Sequence, residues 1–513
     1  MRNDDFGAPT GTAAVHAPFR AGTDHIDGGA GQPDAAIIPI NRYSDYGARW
    51  PVPGKGEVLV VPLGGLGRIG MNWTLYGHDG AWLLVDAGIA FAGDDLPDVD
   101  ALVPDPAFLA PIRDRLLGLV VTHAHEDHVG AIDRLWPHAV DCPIWATPFA
   151  RGLIERRLGE MDTLDQVTLH TYGVGDSFAI GPFRIRTVRV THSIPEPVAL
   201  AIGTAAGTVV HSGDWKLDPE PLIGQPTDLD AFREIGEAGV LAMLCDSTNA
   251  HKEVEPSSEA QVRAAFRALF ASRKGRVAIC CFATNVARVA SAAVAATEAG
   301  RSVALAGRSM RNNEEVARRL GILAGVPEFL AEPSHLKGLD RDRTALVCTG
   351  GQGEEKAALA KLARGDRRFP AFGPGDTVVL STRVIPGNEE AVEKVCSQLR
   401  AKGVEVLMGA ETIKGLPLHV SGHPGAGELR QLYALIRPRF AIPVHGTEMH
   451  LEAHARIARA SGVQAALVTE EAEVIRLTRA GARVLGRVDA PLAHLVSDER
   501  GDRVPYRPAV ALA

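Results

Sequence analysis

The chain has 513 residues, enough for two or more domains at roughly 100–200 residues each. Hydrophobic residues make up 46% and charged residues 23%, which excludes a wholly disordered chain, a collagen and a small disulfide-stapled fold. The net charge of -8 excludes a histone-like basic binder but leaves room for a local basic groove.

No apolar run reaches ~18 residues, so no membrane-spanning helix is expected. The N-terminal stretch carries Asp4, Asp5, Asp24 and Asp27 and lacks the apolar segment of a signal peptide. Six cysteines without a CxxC pair read as buried thiols in a reducing compartment, and the expected localisation is cytoplasmic. Cys280 and Cys281 adjoin on an expected strand and should face opposite sides of a core.

Residues 1–55, rich in Gly, Asp, Ala and Pro, read as a flexible extension. Strands are expected at Val58–Pro62, Trp82–Asp86 and Leu117–Thr122, then a dense His/Asp loop and a short helix at Val129–Leu135. Phe183–Thr191, Thr208–Ser212 and Val240–Cys245 follow as strands. After about Pro256 strands and helices alternate. Strands are expected at Val277–Phe282, Ser302–Ala306, Ala345–Thr349, Thr377–Ser381 and Val404–Met408. Helices are expected at Val286–Ala299, Asn313–Leu323, Glu354–Ala363 and Glu389–Lys402. That rhythm implies right-handed crossovers and a mostly parallel sheet. The strand Phe440–Val444 ends at His445.

Gly65, Gly67 and Gly70 form a literal GxGxxG after a strand. A dinucleotide site needs a helix to start there. The residues that follow, Met71 to Tyr76, suit a strand instead, and a turn at His78–Gly80 makes this a β-hairpin.

The strongest chemical signal is the run His123, His125, Glu126, Asp127, His128 after a buried strand. Imidazole and carboxylate suit zinc, and no cysteine is near enough for a structural thiolate site. His123 and His125 can face one metal, while Asp127 and His128 face a second. Two metals about 3.5–4 Å apart can share a hydroxide and clamp a phosphoryl group. His192, Asp214 and His445 stand where strands give way to loops, the usual place for sites in open α/β sheets. His78, His138, His170 and His450 lack that placement, and His211, within a strand, reads as structural.

The chain resembles the metallo-β-lactamase-fold superfamily, its β-CASP ribonucleases and, within them, bacterial ribonuclease J. The resemblance rests on Gly64–Asn72, Thr122–Ala131, Thr191–Pro195, His211–Asp214, Cys245–Asn249, Gly307–Met310, Thr349–Gly353, Ile385–Glu389, His419–His423 and Pro443–Gly446. It implies an α/β fold: a lactamase αββα sandwich with an inserted β-CASP α/β domain. The expected limits are a lactamase domain over 56–255 and 418–490, a β-CASP domain over 256–417, and a tail over 491–513.

The resemblance further implies two zinc ions, with manganese or magnesium as alternatives. His123, His125 and His192 would hold one, Asp127, His128 and His445 the other, and Asp214 would bridge. Asp86 would orient a ligand histidine. Asp246 and His423 match the β-CASP acid and histidine motifs, with His423 acting on the leaving oxygen. Ser421, His419, Gly350, Gly351, Gln352, Gly353 and Asn388 would contact phosphate. The family usually has serine at Gly351 and Ala-Ser at Pro424 and Gly425.

The function so implied is hydrolysis of single-stranded RNA in RNA processing and decay. It would run 5′→3′ from a 5′-monophosphate, with some endonucleolytic cutting. The family's further C-terminal domain is not expected in this chain, so any homodimer should be weaker than usual. The alternatives are a lactamase-fold hydrolase of small esters and an inactive RNA-binding subunit. An inserted domain and the Asp246/His423 pair argue against the first; a full ligand set argues against the second.

Overall fold

The computed structural model describes residues 44–47, 50–92, 96, 99–253, 257–385, 387–497 and 503–506. Most of the N-terminal stretch expected to be flexible, residues 1–43, lies outside the described residues, as do 507–513 of the expected tail.

Two sheets face each other. In the first, the strands run in the order Ser44–Gly47, Ala482–Val488, Glu473–Leu477, Val58–Pro62, Thr74–His78, Ala81–Val85, Leu116–Val120, Ile144–Ala146, Leu169–Thr171. The second orders Ser177–Ile180, Phe183–Arg189, Val198–Thr204, Gly207–His211, Ala242–Asp246, Phe440–Val444, Ala465–Ala466. Alternation along Val58–Pro62 shows why the first sheet must be covered on both sides. Val58 and Val60 pack between the sheets against Phe183, Leu200 and Ile442. Leu59 and Val61 pack outward with Trp73, Trp82 and Phe149. On the far side of the second sheet, Val210, Met243 and Ala441 meet Phe232, Leu432 and Tyr433. The result is an αββα sandwich, each fully buried large apolar side chain contributing about 1.5–3 kcal/mol.

Ser44–Gly47 pairs in parallel with Ala482–Val488, and Leu492–Leu495 pairs antiparallel with Ala101–Pro104. The expected free extension and tail therefore each contribute a strand to the described fold.

The third sheet is parallel throughout its described pairs, in the order Ser302–Ala306, Thr344–Cys348, Val277–Cys280, Thr377–Leu380, Glu405–Met408. Cys280 and Cys281 enter the cores on its opposite faces, both as buried free thiols. The expected helix Asn313–Leu323 is instead Arg308–Arg319, starting directly after Gly307. The expected helix Glu354–Ala363 forms only from Ala358 to Arg364. Pro148–Glu160 is a helix that the pattern hides, because Gly152 interrupts it. That glycine is needed: a Cβ there would sit 2.7 Å from Cγ1 of Val316, on the helix of the inserted domain packed against it.

The GxGxxG loop does join an antiparallel hairpin, Val60 facing Tyr76 and Pro62 facing Thr74. It folds over the end of the sandwich, where Gly446 N–H donates to Gly65 C=O at 3.1 Å.

Candidate metal centre and active site

The buried strand Leu116–Val120 delivers the His/Asp run to the end of the sandwich, and His125 immediately precedes the short helix Glu126–Val129 without a side-chain capping bond. His123 Nε2 and His192 Nε2 lie 3.1 and 3.0 Å from His125 Nδ1. Asp214 Oδ2 lies 3.8 and 3.7 Å from the same His123 and His192 nitrogens. His192 Nδ1 donates to Gly422 C=O at 2.6 Å, so its Nε2 presents a lone pair inward. Burial, aided by neighbouring rings, drives the pKa values of His123 and His192 well below the usual imidazole range and that of His125 to about 4. Three neutral imidazoles thus aim nitrogens at one point beside a carboxylate, with too few protons to satisfy one another. That donor set fits a transition-metal ion.

A second group adjoins it. His445 Nε2 lies 3.1 Å from Asp127 Oδ2, and His445 Nδ1 lies 3.1 Å from Asp214 Oδ1. His128 Nε2 is 3.4 Å from Asp214 Oδ2 and 3.6 Å from Asp127 Oδ2. Within each group the candidate donor atoms all lie within 4.8 Å of one another, and Asp214 belongs to both. Burial opposes charge on His128 and His445, but the surrounding carboxylates, Asp214 foremost, outweigh it and raise both pKa values.

Asp86 shows why His128 points the right way. It accepts the Thr122 N–H at 2.7 Å, the Thr122 hydroxyl at 2.8 Å and His128 Nδ1–H at 2.7 Å. The ring is thereby locked with Nε2 toward the carboxylates. Asp86 and His445 both have left-handed backbones, with φ of 59° and 55°. Such conformations cost on the order of 1–3 kcal/mol and gather at functional sites. Gly88 permits the close approach behind them, since a Cβ there would meet Asp127 C=O at 1.7 Å.

The strand Ala242–Asp246 ends beside this cluster. Asp246 Oδ2 lies 2.8 Å from His423 Nδ1, and Asp246 Oδ1 accepts the Thr248 hydroxyl at 2.8 Å. Burial works against a charged His423, yet Asp246 and then Asp214 raise its pKa. Ser247 Oγ reaches His454 Nδ1 at 2.8 Å, whose Nε2 meets the Tyr433 hydroxyl at 2.9 Å, pinning this strand end from behind.

The expected phosphate contacts divide. Ser421 Oγ accepts from Asn249 Nδ2 at 2.9 Å and from His423 N–H at 3.2 Å, next to the cluster, and its own proton remains to donate. His419 is turned elsewhere: its Nδ1 lies 3.1 Å from Arg288 Nη1, and burial with Arg288 presses its pKa to about 3. Gln352 and Asn388 bond each other at 3.2 Å, and Gln352 also donates to Arg383 C=O and accepts from Ile385 N–H. Each of these three side chains thus has a partner within the protein. Gly350–Gly353 closes on itself, Gly353 N–H donating to Gly350 C=O at 3.2 Å. A serine at 351 would collide with Thr382, whose Oγ1 lies 2.7 Å from the place of a Cβ.

Other residues at the site carried no role in the sequence analysis. Asn72 Nδ2 lies 3.3 Å from Asp127 Oδ2 and 3.0 Å from His128 Nε2. Thr248 joins Asp246 to His445 C=O at 3.2 Å. Both lie in motif stretches whose histidines and aspartates drew attention first. Arg383 Nη1 donates to Asn249 Oδ1 at 2.9 Å, and no pattern in the sequence marks it.

Residues 81–279 match the beta-lactamase superfamily domain, 274–399 the beta-CASP domain of ribonuclease J, and 412–468 the RNA specificity domain of Zn-dependent metallo-hydrolases. Ribonuclease J of Sinorhizobium meliloti is 44% identical over 446 residues, covering 86% of this chain and 78% of that protein. The chain belongs to the ribonuclease J family. Ribonuclease J of Mycolicibacterium smegmatis is 42% identical, covering 80% of this chain and 73% of its own length. Ribonuclease J 1 of Streptococcus pyogenes is 36% identical, with 87% and 79% covered. A protein of unknown function from Enterococcus faecalis shares the fold, with a TM-score of 0.58 at 17% identity, over 82% of this chain and 100% of that one.

As a ribonuclease J family member the protein is a metal-dependent hydrolase of RNA that acts in RNA processing, and the small-ester reading falls away. No helix among the described residues is long and apolar enough to cross a membrane.

Proposed function

We propose that this chain degrades single-stranded RNA from a 5′-monophosphate end in the 5′→3′ direction, with some internal cutting, in the cytoplasm. His123, His125 and His192 hold one zinc ion, Asp127, His128 and His445 the other, and Asp214 serves both. Manganese or magnesium are the alternatives. When bound, the pair supplies Lewis acidity to a phosphoryl oxygen and makes a deprotonated water available at neutral pH. The observation that carries this reading is Asp214: 3% exposed, it places one carboxylate between two groups of donors.

The chain's own residues do the rest. Asp86 fixes His128, and Asn72 steadies Asp127. His423 carries its proton at Nδ1 toward Asp246, and its Nε2 is the group that protonates the leaving 3′-oxygen as the phosphorus–oxygen bond breaks. Ser421 offers its hydroxyl to a phosphate oxygen, and Arg383, without an acidic partner among the described residues, supplies positive charge nearby. The domain limits 56–255, 256–417 and 418–490 are part of the same proposal.

The experiment is digestion of 5′-labelled single-stranded RNA by metal-loaded protein. Release of the label as a mononucleotide before shorter fragments appear supports the 5′→3′ direction. A ladder of internal fragments with the 5′ end intact contradicts it.

A further inference from the structure

Three exposed apolar side chains stand on segments that adjoin the candidate ligand loops, and nothing in the catalytic account uses them. Phe91 is 70% exposed, Met449 58% and Ile69 36%. Single exposed apolar side chains are ordinary, but several on adjoining segments beside a site mark a contact surface.

Phe91 is not on a loose loop. Ala90–Phe91 is a short strand, Ala90 paired with Leu102 and Phe91 with Ala101. Side chains alternate along a strand, so this pairing sends Phe91 outward while half-buried Ala90 faces the fold. The segment is tied to the ligand loop: Ile89 N–H donates to Glu126 C=O at 3.1 Å, and Ile89 C=O accepts Met71 N–H at 2.9 Å. Gly70, which follows Ile69, lies against both. A Cβ there would be 3.9 Å from Ala90 Cα and 3.5 Å from Asp127 Cβ. Met449 opens the helix Glu448–Ala460 just after His445, and the intervening Gly446 bridges to Leu66 and Arg68 of the glycine loop. Three mutually laced segments, each adjoining Asp127 or His445, therefore each present an apolar side chain to solvent.

We infer that Phe91, flanked by Ile69 and Met449, is a stacking platform for an unpaired base of the RNA, placed beside the scissile phosphate. The inference rests on the ribonuclease reading and adds to it a residue that binds a base rather than a phosphate. Every base has a π-face, so an aromatic platform grips RNA without reading its sequence. A base held in a duplex cannot turn onto the platform, so the same contact favours single strands.

The test uses the full chain with Phe91→Ala and Phe91→Trp. With single-stranded RNA, Phe91→Ala should raise KM about 5- to 150-fold, the size of one lost base–aromatic stack, and leave kcat within about twofold. Phe91→Trp should keep KM near the parent value, which separates lost stacking from a damaged fold. RNAs lacking one base at successive positions locate the partner. At one position the missing base should raise the parent's KM as much as Phe91→Ala does, and the two losses should not add. A KM for Phe91→Ala within twofold of the parent, or an equal effect on every base-deleted RNA, overturns the platform. A drop in the mass of the native particle on Phe91→Ala, seen by light scattering, overturns it in favour of contact with a second copy. If the parent protein leaves RNA uncut, the ribonuclease reading has failed instead.

Discussion

Asp246 and His423 meet at 2.8 Å, one from the end of a lactamase strand, the other 177 residues later beyond the inserted domain. The pair can form only when the chain leaves the sandwich, builds the β-CASP sheet and returns.

His423→Ala should lower kcat by ~10²–10⁴-fold while KM for RNA changes little, because a proton donor to the leaving oxygen acts in the transition state. Asp246→Asn should fall in the same direction by disturbing the proton on Nδ1. Steady-state kinetics on both variants checks this. An unchanged kcat with a large rise in KM would make His423 a phosphate anchor.

Asp214→Ala should lose hydrolysis and lower bound metal below that of a variant lacking one outer ligand, such as His192→Ala. Its carboxylate faces both donor groups, and removing it also leaves His128 and His445 without their strongest counter-charge. Metal analysis of the purified variants, with circular dichroism to confirm the fold, measures it. Full metal content in Asp214→Ala would refute the shared role.

RNA with a 5′-monophosphate should be degraded faster than the same RNA with a 5′-triphosphate. Ser421 and Arg383 offer one hydroxyl and one guanidinium beside the cluster, a match for a small terminal anion. Competition between differently labelled RNAs in one reaction measures the preference. Equal rates would favour entry at internal sites.

Stability should fall as pH drops from 6.5 toward 4. Burial presses the pKa values of His211 and His454 from 6.5 to about 4. Between those values the unfolded chain binds the protons and the folded chain does not, so acid favours unfolding. Each group contributes on the order of 3 kcal/mol, fully present above pH 6.5 and lost by about pH 4. Urea midpoints across that window should show a shallower slope in His454→Gln than in the parent. An identical slope would show that His454 does not titrate in this way.

The residues that gather as candidate metal donors were legible because a dense His/Asp run and three strand-end residues are costly patterns with few structural uses. The partners of His419, Gln352 and Asn388 were not legible, because polar residues in motif loops also bond within the protein and the sequence does not show to which group. Gln352 finds its partners more than thirty residues away at Arg383, Ile385 and Asn388. Helix limits shifted where glycine set them. Gly307, with φ of 129°, starts one helix earlier than its apolar periodicity shows, and Gly152 disguised another to make room for Val316. Asn72 and Thr248 stayed unassigned because a hydrogen-bond donor has meaning only once its acceptor is in place.

The central claim is that Asp214 joins two metal-holding groups into one RNA-cutting centre. Titrating zinc into metal-free protein while following hydrolysis of 5′-labelled RNA tests it most directly. The account predicts that activity rises until two zinc ions are bound per chain and that Asp214→Ala stays inactive throughout. Full activity with a single bound ion, or RNA cleavage by Asp214→Ala at the parent's rate, would contradict it.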